Sequence, residues 1–161
     1  MNKKFNLLFL TLFNIGKIEK APGTIASLIT CIFFLLLINI FNISSIFLFT
    51  LVIFCYSFIA INNSFEHFKS DDPQEIVIDE FIGQMLPLLA IPIYETLYLL
   101  PKIYYCIPAF LLFRLFDIWK PFPVGYVDEN VKGAIGIMLD DIFAGIYTVI
   151  SLIIIFFFLG G

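Results

Sequence analysis

Charged residues are scarce in this sequence, and that scarcity narrows the class of protein. They make up 14% of the 161 residues, whereas hydrophobic residues make up 61%, and the mean hydropathy is +1.02. A soluble globular chain does not carry so much apolar surface, so the sequence predicts an integral membrane protein. Its apolar runs are continuous rather than alternating, which favours a helical bundle.

Histidine, cysteine and clustered basic residues are also scarce, and each scarcity excludes a kind of site. The single His67 has no partner at the spacing of a zinc site. Cys31, Cys55 and Cys106 are odd in number and form no Cys-x-x-Cys pair, so no disulfide framework is indicated. The sequence has no basic stripe, so nucleic acid is not an expected partner. A bound metal would be held by oxygen, which favours Mg²⁺, Mn²⁺ or Ca²⁺.

The apolar stretches predict the architecture. We expect one domain over residues 1–161, all-α, built as a polytopic helical membrane bundle with about four to five membrane-embedded helices. A short helix over Phe5–Phe13 should lie at the membrane surface or re-enter it. We expect a turn at Tyr94–Lys102 and a loop at Val124–Lys132. The remaining helices are predicted over Ile25–Ile43 with Thr24 as N-cap, Ser45–Ile61, Glu80–Pro92, Ile103–Trp119, and Ile137 to the C-terminus.

Four acids fall within nine residues immediately before an apolar run: Asp72, Glu75, Asp79 and Glu80. Asp72 is a good N-cap and Pro73 suits the first helical position, so a helix is predicted to begin there. In that helix Asp72, Glu75 and Asp79 lie on one stripe, although capping explains Asp72 and Glu75 equally well. Asp79 and Glu80 sit at or just below a bilayer surface, where each acid costs about 2.5–3.5 kcal/mol. We interpret these two as functional.

Further charges fall near the ends of two other helices. Arg114 and Asp117 are spaced i, i+3 and can pair on one helix face, either as a bare ion pair or as part of a site. Asp140 and Asp141 are adjacent inside the last apolar run, and we interpret both as functional.

Residues near those charges complete the pattern. Lys120 follows Asp117, and Pro121 ends the helix. Gly136 lies four residues before Asp140, and Gly145 lies four residues after Asp141. Both glycines should let another backbone approach closely. Glu129 is interpreted as a solvated loop charge, whereas Asp128 is left open between that role and a function.

If each apolar stretch crosses the membrane, these clusters face one side. They are Gly23-Thr24, Asp79-Glu80, Arg114-Asp117-Lys120 and Asp140-Asp141. Lys3, Lys4, Lys17 and Lys20 indicate that this side is cytoplasmic, while Lys102 falls on the other side. Carboxylates beside Arg and Lys at the headgroup plane suit a site for a metal and a phosphate. Gly23 and Thr24 could add backbone N–H groups and a hydroxyl for an anion.

Four segments carry a family resemblance in the order of the chain. They are Ala21-Pro22-Gly23-Thr24, residues 75–83 (EIVIDEFIG), residues 113–121 (FRLFDIWKP), and residues 136–141 (GIMLDD) with Ala144-Gly145. Together they resemble phosphatidylglycerophosphatase A. The resemblance implies a multi-pass enzyme of the bacterial inner membrane whose active site faces the cytoplasm. It implies Mg²⁺-dependent hydrolysis of the lipid substrate phosphatidylglycerol phosphate to phosphatidylglycerol and inorganic phosphate.

The charge pattern and the resemblance together give three sets of predicted site residues. The catalytic set is Asp79, Glu80, Asp117, Asp140 and Asp141. The phosphate-binding set is Thr24, Arg114 and Lys120. The metal-ligand set for Mg²⁺ is Glu75, Asp79, Glu80, Asp140 and Asp141. Which acid is nucleophile, base or ligand is left open.

Three other functions fit parts of the same pattern. A cation transporter or channel would also gather acids from several helices, but here Arg114 and Lys120 share the cluster and no repeat is visible. An intramembrane aspartyl protease would carry Gly-x-Gly-Asp, and a CDP-alcohol phosphotransferase would carry Asp-Gly-x-x-Ala-Arg. Neither pattern is present.

Overall fold

A computed structural model describes residues 3–64, 73–93 and 101–159, and within these ranges all regular secondary structure is helical. The all-α prediction is therefore confirmed for this part of the chain. A 3₁₀ helix, Ile15–Lys17, follows the first α-helix. The α-helices are α1 (Lys3–Leu10), α2 (Pro22–Leu37), α3 (Ile43–Ser64), α4 (Ile78–Leu89), α5 (Lys102–Trp119), α6 (Val124–Asn130) and α7 (Gly133–Leu159).

Two of these helices, α3 and α7, are long and apolar enough to cross a membrane by length and composition, fewer than the four to five predicted. The difference has a physical reason in each remaining long helix. The 16 residues of α2 and the 12 of α4 are too short for the roughly 20 that a span requires. The 18 residues of α5 include Lys102, Arg114 and Asp117. These shorter helices pack against α3 and α7 and against one another.

Helix α4 lies at the centre of the bundle. It contacts α2, α3, α5 and α7, and most of its side chains are buried. Asp79 and Glu80 form its first turn, so the acids stand at the end of the central helix. A helix that is apolar nearly all round needs such a central position.

The helix predicted to begin at Asp72 and Pro73 begins instead at Ile78, so that prediction is wrong. Asp72 lies outside the described residues. Pro73 precedes a turn in which the Ile76 N–H donates to the Pro73 carbonyl at 2.9 Å. The Val77 N–H then donates to the carbonyl of Leu10 in α1 at 3.0 Å. This hydrogen bond to a distant residue prevents the segment from forming the helix that its local capping pattern favours.

Other boundaries also differ from the prediction. Helix α2 begins at Pro22, with Ala21 in the left-handed region at φ 49°, so Thr24 lies in the first turn and is not the cap. The predicted loop at 124–132 contains helix α6, and the last helix begins four residues before Ile137. Of the predicted turn at 94–102, residues 94–100 lie outside the described residues and Lys102 already belongs to α5.

Helices α4 and α7 cross at two glycines. A Cβ on Gly145 would lie 2.5 Å from the carbonyl oxygen of Gly83, and a Cβ on Gly83 would lie 2.7 Å from that of Asp141. The close approach predicted for Gly145 is therefore confirmed, whereas Gly136 lies against the carbonyl of Val131, just before its own helix. This crossing brings Asp141 beside the acidic end of α4.

Candidate active site

A cavity of about 420 Å³ opens where the start of α2, the start of α4 and the end of α5 meet α7. Its wall carries six of the residues predicted from the sequence: Thr24, Glu80, Arg114, Asp117, Lys120 and Asp140. Exposed or apolar residues of the segments before α2 and α4 also line it, among them Glu19, Gln74 and Ile76. Acids and cations from α4, α5 and α7 thus share one water-accessible space with Thr24 of α2.

Three carboxylates cluster at the edge of this cavity. Asp79, Glu80 and Asp141 each offer an oxygen, and these oxygens lie within 4.8 Å of one another. Asp79 is 8% exposed and Asp141 is 3% exposed. Among the described residues, Glu80 Oε2 and Asp141 Oδ1 have no hydrogen-bond partner. Buried, unpartnered acid oxygens converging on one point fit a divalent metal, which prefers oxygen ligands.

The electrostatics of the two α4 acids support that fit. Helix α4 lies outside the two candidate spans. Burial raises the pKa of Asp79 well above its usual range, and the charges of Glu80 and Asp141 raise it further. Burial also raises the pKa of Glu80 to about 7; Asp117 adds to this shift, whereas Asp79 and Arg114 oppose it. Such acids ionise together readily only when a cation offsets their repulsion.

Arg114 faces this cluster from α5. Its Nη1 forms an ion pair with Oδ2 of Asp117, so the predicted i, i+3 pair is present. Gly23 at the start of α2 makes room for the neighbouring groups: a Cβ there would lie 2.0 Å from Glu80 Oε1 and 3.3 Å from Arg114 Nη1. The buried Nε of Arg114 has no partner among the described residues. A guanidinium stays protonated, so this spare donor suits an anionic ligand.

Lys120 faces the cavity from the end of α5. The residue is in the left-handed region at φ 47° and closes the helix. Its Nζ lies 3.2 Å from Asp140 Oδ2 and forms a second ion pair with Asp128. Burial lowers the pKa of Lys120, but the two carboxylates outweigh burial and hold this pKa above its usual value. The ammonium group is therefore fully charged beside the cavity.

Glu75 is the predicted site residue that lies apart from these groups. It is exposed in the turn before α4 and is not among the three clustered carboxylates. Because α4 begins at Ile78, Glu75 and Asp79 do not share the helical stripe predicted for them. The other predicted metal ligand, Asp140, lies at the cavity wall with its Oδ1 buried and unpartnered among the described residues.

Sequence reasoning missed one buried polar residue and left a second residue open. Gln84 follows Glu80 by one turn of α4 and is fully buried, and its amide N and O have no partner among the described residues. Its sequence signal was an amide in the middle of an apolar run. Asp128, left open from the sequence, pairs with Lys120. That pair crosses a turn, where helical periodicity gives no signal.

Comparisons with known proteins agree with the geometry. A family model described as phosphatidylglycerophosphatase A matches residues 8–156. The chain is 37% identical over 138 residues to Phosphatidylglycerophosphatase A of Haemophilus influenzae, covering 86% of this chain and 80% of that protein. It is 40% identical over 77 residues to Phosphatidylglycerophosphatase A of Escherichia coli K12, covering 48% and 41%.

A third relative carries a different name. A Bacteroides thetaiotaomicron protein, provisionally named phosphatidylinositol-3-phosphatase, is 37% identical over 141 residues, covering 86% of this chain and 85% of that protein. No solved structure gives a significant match. The names of all three relatives describe phosphatases that act on phosphorylated lipids.

Proposed function

The chain belongs to the phosphatidylglycerophosphatase A family, and on that premise we propose that it hydrolyses phosphatidylglycerol phosphate. The products are phosphatidylglycerol and inorganic phosphate. The observation that carries this proposal is the cavity in which Arg114 and Lys120 face Glu80, Asp117 and Asp140. A phosphate monoester needs such paired cations and acids, because its uncatalysed hydrolysis is among the slowest known, with enhancements up to ~10²¹.

Arg114, Lys120 and Thr24 bind the phosphate in this proposal. Arg114 has an Nε donor without a partner among the described residues, and a guanidinium can contact two phosphate oxygens at once. Lys120 adds a point charge at the neighbouring wall. Thr24 offers a hydroxyl from the first turn of α2, where backbone N–H groups and the helix dipole also favour an anion.

Asp79, Glu80 and Asp141 hold Mg²⁺ in this proposal, with Asp140 next to them. The support is their mutual distance, the burial of Asp79 and Asp141, and the oxygens of Glu80 and Asp141 that have no partner among the described residues. When bound, the ion would neutralise negative charge on the phosphoryl oxygens. Glu75 was also predicted as a ligand, and its exposed position in the turn leaves it apart from this group.

The acids that line the cavity do the proton chemistry. Asp117 forms an ion pair with Arg114, and Asp140 accepts a hydrogen bond from Lys120, so each carboxylate is held in place by a cation. A carboxylate so held can orient the attacking water and accept its proton, or can itself attack phosphorus.

We infer that the protein lies in the bacterial inner membrane with the cavity on the cytoplasmic side. Helices α3 and α7 would span, and the shorter helices α2, α4 and α5 would run beside them between the two sides of the membrane. Large apolar side chains are exposed along both long helices, for example Phe47, Leu48, Ile153 and Phe157, as lipid contact requires. Substrate would then meet the cavity at the headgroup level, where a phosphorylated headgroup lies.

The test is phosphate release by the purified protein in detergent. Phosphatidylglycerol phosphate, phosphatidylinositol 3-phosphate and phosphatidic acid are compared, each with Mg²⁺ and with EDTA. Fast release from phosphatidylglycerol phosphate in Mg²⁺ alone supports the proposal. A clear preference for phosphatidylinositol 3-phosphate would instead make that lipid the substrate, in agreement with the name of the Bacteroides protein. Full turnover in EDTA would overturn the metal assignment.

A further inference from the structure

Asp128 lies outside the residues assigned above, yet it contacts one of them directly. Its Oδ1 forms an ion pair with Nζ of Lys120, and both side chains are a little over a quarter exposed, at 28% and 29%. The same ammonium lies 3.2 Å from Asp140 Oδ2. An ammonium has three donors, so two carboxylates hold it while one donor remains for a third partner. Lys120 also lines the cavity, where that third partner would bind.

The turn between α5 and α6 is built to place Asp128 there. Gly125 lies against the backbone of Lys120, because a Cβ on Gly125 would be 2.6 Å from the Lys120 carbonyl oxygen. The hydroxyl of Tyr147 donates to the Phe122 carbonyl at 2.6 Å and ties the turn to α7. Asp140 precedes Tyr147 by two turns of that helix, so the turn and Asp140 are fixed to the same element.

We propose that Asp128 is a positioning residue that holds the Lys120 ammonium at the cavity wall, where it binds the phosphate of the substrate. Without this carboxylate, Asp140 is the remaining partner of the ammonium. Lys120, on a flexible four-carbon stem, then moves toward Asp140 and away from the phosphate. Asp128 thus acts on the reaction only through Lys120. This role rests on the proposed phosphatase function.

Two variants on α6 form the matched pair for the test. Asp128→Asn keeps the size and removes the charge that pairs with Lys120. Glu129→Gln makes the same charge change one residue away on an exposed side chain. We expect Asp128→Asn to lower kcat on phosphatidylglycerol phosphate about tenfold, Asp128→Glu to recover much of it, and Glu129→Gln to match wild type.

A double-mutant cycle separates positioning from folding. In a Lys120→Gln background, Asp128→Asn should change kcat by less than about twofold, because the residue through which it acts is already gone. A tenfold loss that persists in that background would show that Asp128 acts through the fold, and would overturn the inference. So would wild-type turnover by Asp128→Asn.

A second measurement needs no turnover. Lys120 is labelled with an amine-reactive reagent and quantified by mass spectrometry, with exposed Lys132 as the internal reference. Loss of the Asp128 carboxylate should speed labelling of Lys120 several-fold, whereas Glu129→Gln should leave it unchanged. Equal labelling of Lys120 in wild type, Asp128→Asn and Glu129→Gln would contradict the contact between Asp128 and Lys120. An inactive wild type with faster labelling in Asp128→Asn would overturn the proposed function and keep the contact.

Discussion

The carboxylate of Glu80 fills the space that a side chain at residue 23 would need. A Cβ on Gly23 would lie 2.0 Å from Glu80 Oε1, the end of a side chain that can rotate away. Gly23→Ala should therefore displace Glu80 while leaving the backbone in place. We expect activity to fall at least about tenfold with little change in thermal unfolding. Phosphate release and unfolding of the same detergent preparation check this; unchanged activity would mean that Glu80 tolerates the shift.

Gly83→Ala should instead lower the stability of the fold. The atoms nearest a Cβ there are the backbone oxygen of Asp141 at 2.7 Å and the Phe113 ring at 2.8 Å. Helices α4 and α7 must then separate, which typically costs about 1–3 kcal/mol of unfolding free energy. The unfolding temperature should drop clearly, unlike that of Gly23→Ala. A Gly83→Ala protein as stable as wild type would contradict the close helix crossing.

The two glycines at the crossing of α4 and α7, Gly83 and Gly145, also show how much of the fold can be predicted from the sequence. Gly145 and the paired aspartates stand out in the sequence, because a small residue in an apolar run favours close helix packing and an acid there is costly. Gly83, on the other side of the same crossing, stands out only as part of a family motif. Its contact depends on which helix faces α7, and helical periodicity cannot identify that partner.

The errors in the helix boundaries have a similar cause. Asp72 and Pro73 form a good local cap, but the bond from Val77 to Leu10 joins residues far apart in sequence and overrides that local preference. Helix α6 was predicted as a loop, because seven residues after two prolines show no clear periodicity. Asp128 was left open for the same reason, since its partner became clear only with that helix.

Asp79→Asn and Asp140→Asn should abolish hydrolysis without unfolding the protein. Asp79→Asn removes one ligand charge, and Asp140→Asn removes the carboxylate that pairs with Lys120; both keep the side-chain size, so we expect losses on the order of 10³-fold or more. In EDTA, Asp79→Asn should be at least as stable as wild type, because a buried group repelled by Glu80 and Asp141 can no longer ionise. Activity is compared at matched amounts of folded protein. Near-normal turnover in either variant would make that aspartate structural.

Arg114→Lys should retain part of the activity. The charge survives, but one ammonium cannot contact two phosphate oxygens as the guanidinium fork does. The rate should therefore lie between wild type and the two asparagine variants. Activity at or below that of Asp79→Asn would show that the fork, and not the charge, accounts for all of the contribution of Arg114.

The stability of the metal-free protein should fall as pH rises. The folded-state pKa of Glu80 is about 7 against an ordinary value of 4.5, and that of Asp79 is also raised. The folded protein then binds more protons than the unfolded chain. The free energy of unfolding is therefore highest below the ordinary pKa of 4.5 and decreases as the pH rises through about 7. Unfolding temperatures in EDTA should fall between about pH 5 and 8. Saturating Mg²⁺ should raise them most at the alkaline end, and Glu80→Gln should flatten the EDTA curve.

The cavity side of the protein should be accessible from the cytoplasm. Single cysteines at Asn63 and Glu129, on a background without Cys31, Cys55 and Cys106, should react with an impermeant thiol reagent from that side only. A cysteine at Lys102, at the far end of α5, should react from the other side. Equal labelling of all three positions from one side would break this topology.

The hydrogen bond from Val77 to Leu10 links the acids of α4 to the order of synthesis. A ribosome makes about 5–20 residues per second, so Leu10 emerges several seconds before its partner. During that interval the Leu10 carbonyl lacks the N–H donor from which it accepts in the folded protein. The turn before Asp79 and Glu80 can form its hydrogen bond to α1 only after both Leu10 and Val77 have been synthesised. Helix α1 is therefore synthesised first but makes this contact late, and the candidate active site is among the last parts to form.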